Sequence, residues 1–166
     1  LGLEDLDTEE TPIPIEIRKI CGREVITHDL FTSGIVYLHV GFDMKPLPQR
    51  LLPYMSLFGG LLTQMGTETE DFAQLQNRIG THTGGVSASR LITGLADSGN
   101  DACGAWLMVR AKATIDKTEE MLNIIRDILL TVKLDNQERF RQLVLRAKAG
   151  AESGLIPSGH LSLIHI

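Results

Sequence analysis

Residues 33–65 read SGIVYLHVGFDMKPLPQRLLPYMSLFGGLLTQM, and the change of period inside this stretch decides the fold. Val36, Leu38, Val40 and Phe42 alternate with Tyr37, His39 and Asp43, the two-residue period of a strand with one covered face. Pro46 and Pro48 end that strand, because proline has no N–H to give to a ladder. Leu47, Leu51, Met55, Phe58, Leu62 and Met65 then recur at helical spacing, and Gly66 closes the run.

Toward the N-terminus, residues 15–20 and 24–30 read as two short strands around a Gly22-Arg23 turn. Residues 1–14 are acidic and proline-punctuated, with Asp5, Asp7, Glu9 and Glu10 before Pro12 and Pro14. That composition predicts an extended linker arriving from an upstream half of a longer protein. Toward the C-terminus, a second helix is expected with Thr69 as N-cap, Phe72, Leu75 and Ile79 on its covered face, and Gly80 as its stop. Residues 83–95 and 103–114 read as strands joined by the polar loop 97–101. In the second of them Ala105, Leu107, Val109 and Ala111 alternate with Trp106, Met108, Arg110 and Lys112. Two further helices are signalled by Asp116 with Glu119 and by Asp135 with Glu138, both in capping-box spacing. The expected order is βββ-αα-ββ-αα, an α+β fold in which an antiparallel sheet of about five strands packs on paired helices.

The charge balance of 16 basic against 21 acidic residues, net −5, argues against a nucleic-acid partner, which needs a basic footprint. No apolar run reaches the roughly 18–20 residues that span a bilayer, so no membrane partner is expected either. Cys21 and Cys103 have no local base or cationic field and read as inert. His28, His39, His82, His160 and His165 fall in no zinc-binding spacing and read as solvated or hydrogen-bonded side chains. The run Gly80-Thr81-His82-Thr83-Gly84-Gly85 lacks the Gly-Lys-Ser/Thr of a phosphate cradle and leads into a strand. Glycines there leave room for a neighbouring backbone. Arg139, Arg141, Arg146 and Lys148 read as the solvated face of the last helix.

Several stretches together resemble a family. Residues 26–32 (ITHDLFT), Leu51-Leu52-Pro53-Tyr54, Met65-Gly66-Thr67, residues 79–87 (IGTHTGGVS), Glu138-Arg139-Phe140 and Ser158-Gly159-His160 occur in unbroken order. In that order they resemble the insulinase or pitrilysin superfamily of zinc metallopeptidases, in its presequence-protease branch. The resemblance implies a clamshell of two homologous halves around a chamber for short unfolded peptides. Zinc sits on an inverted H-x-x-E-H helix of the N-terminal half. Residues 15–160 resemble the first repeat of the second, non-catalytic half, a LuxS/MPP-like repeat that stops before its own end. Residues 161–166 (LSLIHI) resemble the translation of a transposon end used in sequencing libraries and are read as a non-native scar.

Aligned on Gly66-Thr67, the three positions of H-x-x-E-H fall on Leu57, Gly60 and Leu61, none of which binds zinc or activates water. The expectation is that this chain alone is inactive and holds no cofactor, the zinc lying in the missing catalytic half. The peptide-holding Gly-Gly strand of the catalytic repeat falls at Gly84 and Gly85, either as a degenerate substrate-binding edge by strand addition or as a packing strand. Expected partners are the remaining domains of the same polypeptide and short peptides in the closed chamber. A standalone inactive homologue, acting as scaffold or peptide-binding module, is the alternative. A soluble location in a bacterial cytoplasm or an organelle matrix fits either.

Overall fold

The computed structural model describes the backbone of residues 12–94 and 103–164, and side chains as far as residue 154. The expected loop 97–101 and most of the acidic segment 1–14 lie outside the described residues. Contacts divide the chain into two compact units, Leu1–Gly34 and Ile35–Ile166.

The first unit is a hairpin of β1 (Glu16–Ile20) and β2 (Arg23–Thr27), paired antiparallel with Ile20 opposite Arg23. The turn is therefore Cys21-Gly22, one residue earlier than the sequence suggests. Both residues have positive φ, 50° and 77°, as the tight turn that matches strand twist requires. Arg18 bridges to Glu16 at 2.8 Å, and a ring nitrogen of His28 meets the Pro14 carbonyl at 3.0 Å.

The second unit holds β3 (Ile35–Asp43), α1 (Met55–Leu62), α2 (Phe72–His82), β4 (Val86–Gly94), β5 (Cys103–Thr114), α3 (Thr118–Thr131) and α4 (Gln137–Ile164). The fold is α+β with antiparallel sheets and four helices. The expected single sheet of about five strands is not what forms. Five strands are described, but β1 and β2 pair only with each other, and the second sheet is three-stranded in the order β3-β5-β4. The 12-residue β5 has the length and alternation to serve as the centre. It pairs with β3 from Ile35↔Thr114 to Asp43↔Trp106, and with β4 from Val86↔Ala111 to Gly94↔Cys103.

One face of this sheet is covered by helices. Leu107 and Val109 of β5 join Met44, Leu62, Leu75, Ile79, Ile124 and Ile128 in the main core. Ala111 and Ala113 sit against Met121 and Ile125 of α3, where small side chains let the helix come close. Removing this apolar surface from water stabilises the layer by about 25 cal/mol per Å². Gly59 of α1 is buried, and α1 lies tight against β4 at this point.

The helix signals need four corrections. A 3-10 turn over Gln49–Tyr54 precedes α1, so the apolar run is not one helix. Asp71, not Thr69, caps α2: its carboxylate accepts from the Ala73 and Gln74 amides, and the Gln74 side chain accepts in return from the Asp71 amide. Gly80 lies inside α2 and does not stop it. The stop belongs to Thr83, whose extended backbone and Oγ1 close onto the Ile79 carbonyl. Asp116 makes no box with Glu119, because a 3-10 turn over Ile115–Lys117 intervenes and α3 starts without a side-chain cap. At α4 the cap is Asn136, one residue after Asp135, accepting from the Arg139 amide at 3.0 Å. Gly66, by contrast, ends its segment as expected, with φ at +89° and no room for a Cβ beside the Glu70 carbonyl.

Candidate functional site

Two surfaces hold the residues the sequence singles out, and they are separate. Leu57, Gly60 and Leu61 come together along α1. With Ser56, Gln64 and, from α4, Leu143 and Arg146, they line a cavity of about 460 Å³. Leu61 is packed with Met65 and Leu143. Gln64 spends its amide on the Gly60 carbonyl at 2.9 Å. A zinc ion needs three or four nitrogen, sulfur or carboxylate donors around one point. Leucine and glycine side chains offer none, so these three positions do not fit the metal. Among the described residues no group of three His, Cys, Asp or Glu converges as a metal site.

Arg139 does more than solvate α4. Its Nε donates to the Gln64 carbonyl at 3.1 Å, and its guanidinium lies 3.8 Å from the centroid of the Phe72 ring. It thereby ties α4 to the end of α1 and to the start of α2. A second polar knot joins α2 to α3. Arg78 donates to Glu70 at 2.8 Å and to Asp127 at 3.0 Å through both terminal nitrogens. Burial pulls the Arg78 pKa down, but the bonds to Glu70 and Asp127 outweigh it and hold the value above the ordinary one. Both sets of contacts are structural.

Gly84 and Gly85 lie at the entry of β4 and line a shallow depression of about 340 Å³ with Tyr37, His39, Arg110 and Lys112. The Gly84 amide donates to the Lys112 carbonyl at 2.7 Å and the Gly85 amide to Thr83 Oγ1 at 3.0 Å. A Cβ on Gly84 would stand 2.9 Å from the Lys112 side chain, and Gly85 has φ at +115°. These glycines therefore make room for the Lys112 stem and turn the chain into β4. As an edge strand, β4 leaves alternate N–H and C=O groups from Val86 to Gly94 without a described strand partner.

The sequence pattern places Tyr37, His39, Arg110 and Lys112 on the polar faces of two different strands. What it lacks is the register. His39 stands opposite Arg110 and Tyr37 opposite Lys112, so the two half-patterns form one surface.

An α+β unit whose α1 carries no ligating side chain at the metal positions has the character of a region that accompanies a catalytic domain. A family model described as the associated region of peptidase family M16, subfamily C, matches residues 1–164, and the chain belongs to that family. It is 37% identical over 160 residues to Presequence protease 1, chloroplastic/mitochondrial, of Arabidopsis thaliana, covering 96% of this chain and 15% of that protein. It is 33% identical over 160 residues to Protein HypA of Clostridium perfringens, covering 96% and 16%. The mitochondrial presequence protease of Danio rerio is 28% identical over 131 residues, covering 78% and 13%. These matches agree with the presequence-protease branch of the insulinase family that the motifs imply. The chain spans about a sixth or less of the length of these relatives. Among the described residues no helix is long and apolar enough to cross a membrane.

Proposed function

We propose that the chain is a non-catalytic region of a presequence-protease-type zinc metalloendopeptidase, where it forms part of the wall of a peptide-degrading chamber. The observation that carries this reading is the set Leu57, Gly60 and Leu61 on α1. The helix is kept beside the edge strand β4, while every position that would bind zinc or activate water is apolar or lacks a side chain. In this reading the metal belongs to another part of the same polypeptide, and the other domains of that polypeptide are the partners. The unit is then a LuxS/MPP-like repeat. The relatives named for mitochondria and chloroplasts support an organelle matrix or stroma as its location.

Gly84, Gly85 and β4 are the proposed substrate-facing edge. Because both glycine amides are already bonded within the chain, a peptide adding as a strand would pair with β4 from Val86 onward. The test is metal analysis with a peptidase assay on the 166-residue chain and on the full-length parent. The expected result is zinc and turnover in the parent only. Stoichiometric zinc with turnover in the isolated chain would overturn the reading. A full-length parent of this size with no catalytic half would favour the scaffold alternative.

A further inference from the structure

The helix-free face of the three-stranded sheet carries a graded row of side chains. Along β5 it runs Lys112, Arg110, Met108, Trp106. Across from these stand Tyr37, His39, Gly41 and Asp43 of β3, and Ser87, Ser89 and Leu91 of β4 cover the Arg110, Met108 and Trp106 positions. One end of the face is cationic, its middle and far end are apolar, and the one described acid at the far end is Asp43.

The cationic end is a built quartet. Cross-strand partners put the Cβ atoms of His39 and Arg110, and of Tyr37 and Lys112, about 4.5–5.5 Å apart. Arg110 and Lys112 are two residues apart on one strand, or about 7 Å. Among the described residues neither makes an ion pair. Arg110 is half-buried, and one terminal nitrogen is fixed by donation to Ser89 Oγ at 2.7 Å, which leaves the rest of its fork unspent. Lys112 lies across Gly84, where a Cβ would collide with its stem at 2.9 Å. Two held cations, a phenol and an imidazole around a depression of about 340 Å³ match one small planar anion. A polyanion is disfavoured by the chain's net charge of −5.

We infer that Tyr37, His39, Arg110 and Lys112 form a subsite for the free C-terminal carboxylate of a short peptide lying along the open face of the sheet. The polarity gradient selects a chain end over an acidic side chain. From Lys112 to Trp106 the face runs about 20 Å, room for an extended peptide of about six residues. Its apolar side chains would cover Met108, Trp106 and Leu91, and its charge would stand only at the end beyond them. The inference rests on the peptide-chamber reading above and specifies where and how one end of a peptide is held.

Trp106 is the chain's single tryptophan, so its fluorescence reports binding directly. The probe is an apolar hexapeptide offered as the free acid, as the C-terminal amide, and as an amide carrying one internal Glu. The expected result is that the acid binds about tenfold or more tighter than either amide, as loss of a charge-assisted pair dictates. Lys112→Gln, at an exposed position, and Arg110→Gln should each abolish most of that preference. Circular dichroism melting identifies any variant that has failed to fold, and Lys112→Gln then decides. Equal binding of acid and plain amide, or no saturable binding of the acid, overturns the subsite. Equal binding of the acid and the Glu-bearing amide overturns the chain-end assignment. None of these outcomes touches the chamber-wall reading, which fails instead on zinc and turnover in the isolated chain.

Discussion

Gly59 of α1 lies against Ala88 of β4 so closely that a Cβ on the glycine would stand 2.8 Å from the Ala88 carbonyl oxygen. The obstacle is backbone, which cannot rotate away, so the helix seats on the edge of the sheet only because residue 59 has no side chain. That seat also brings the Leu57-Gly60-Leu61 stretch next to the strand that a peptide would join. Gly59→Ala should destabilise the fold by about 1–3 kcal/mol, the usual cost of overpacking. Thermal unfolding of the variant measures this, and an unchanged midpoint would show that α1 can slide without penalty.

The Arg78 knot sets the second expectation. Glu70 and Asp127 have side chains only 20% and 22% exposed and face one guanidinium. Arg78→Met leaves two half-buried carboxylates together without their cation. The change should cost about 2–4 kcal/mol, below the full loss of a deeply buried pair because water still reaches the site. Replacing Asp127 by Asn as well should recover part of the loss, since one of the two repelling charges is then gone. Denaturant titration of the single and double variants gives the coupling directly.

Asp116 supplies a pH dependence. The Thr114 side chain hydrogen-bonds the carboxylate and holds its pKa below the ordinary value, with Lys117 adding in the same direction. A depressed carboxylate stabilises the fold above its unfolded pKa of about 3.9, and the contribution is lost as pH falls through the folded value. Asp116→Asn should therefore melt below the parent at neutral pH and converge with it in acid. Thr114→Val should act in the same sense. Parallel melting curves across that range would show that the bond contributes nothing.

The strands were legible because alternation records which face is covered, and β5 carries that record over all 12 residues from Cys103 to Thr114. The partition of strands was not legible. Nothing in the pattern of Ile17, Ile20 and Ile26 says whether they meet β3 or stay exposed, as they do here. Helix starts were misplaced by one or two residues because Thr69, Asp71, Asp135 and Asn136 are all competent caps, and the choice among them is made by packing. The loss of metal chemistry at Leu57, Gly60 and Leu61 was readable residue by residue. The open-face quartet was not, since it exists only in the register between β3 and β5.

Arg139 offers the last test, because sequence alone assigns it to a solvated face. Its Nε–H to the Gln64 carbonyl and its stacking on Phe72 use the two properties that separate arginine from lysine, a directional donor on the stem side and a flat cation. Lysine keeps the charge and most of the length but has neither. If the residue were only solvating, Arg139→Lys would be silent. The contacts instead predict a loss of about 1–2 kcal/mol, from one hydrogen bond and one cation–π contact at a half-buried position. Phe72→Leu should remove only the ring's share, and the double variant should lose less than the sum of the two. Additive losses would mean that Arg139 and Phe72 act independently and that α4 is tied to α1 alone.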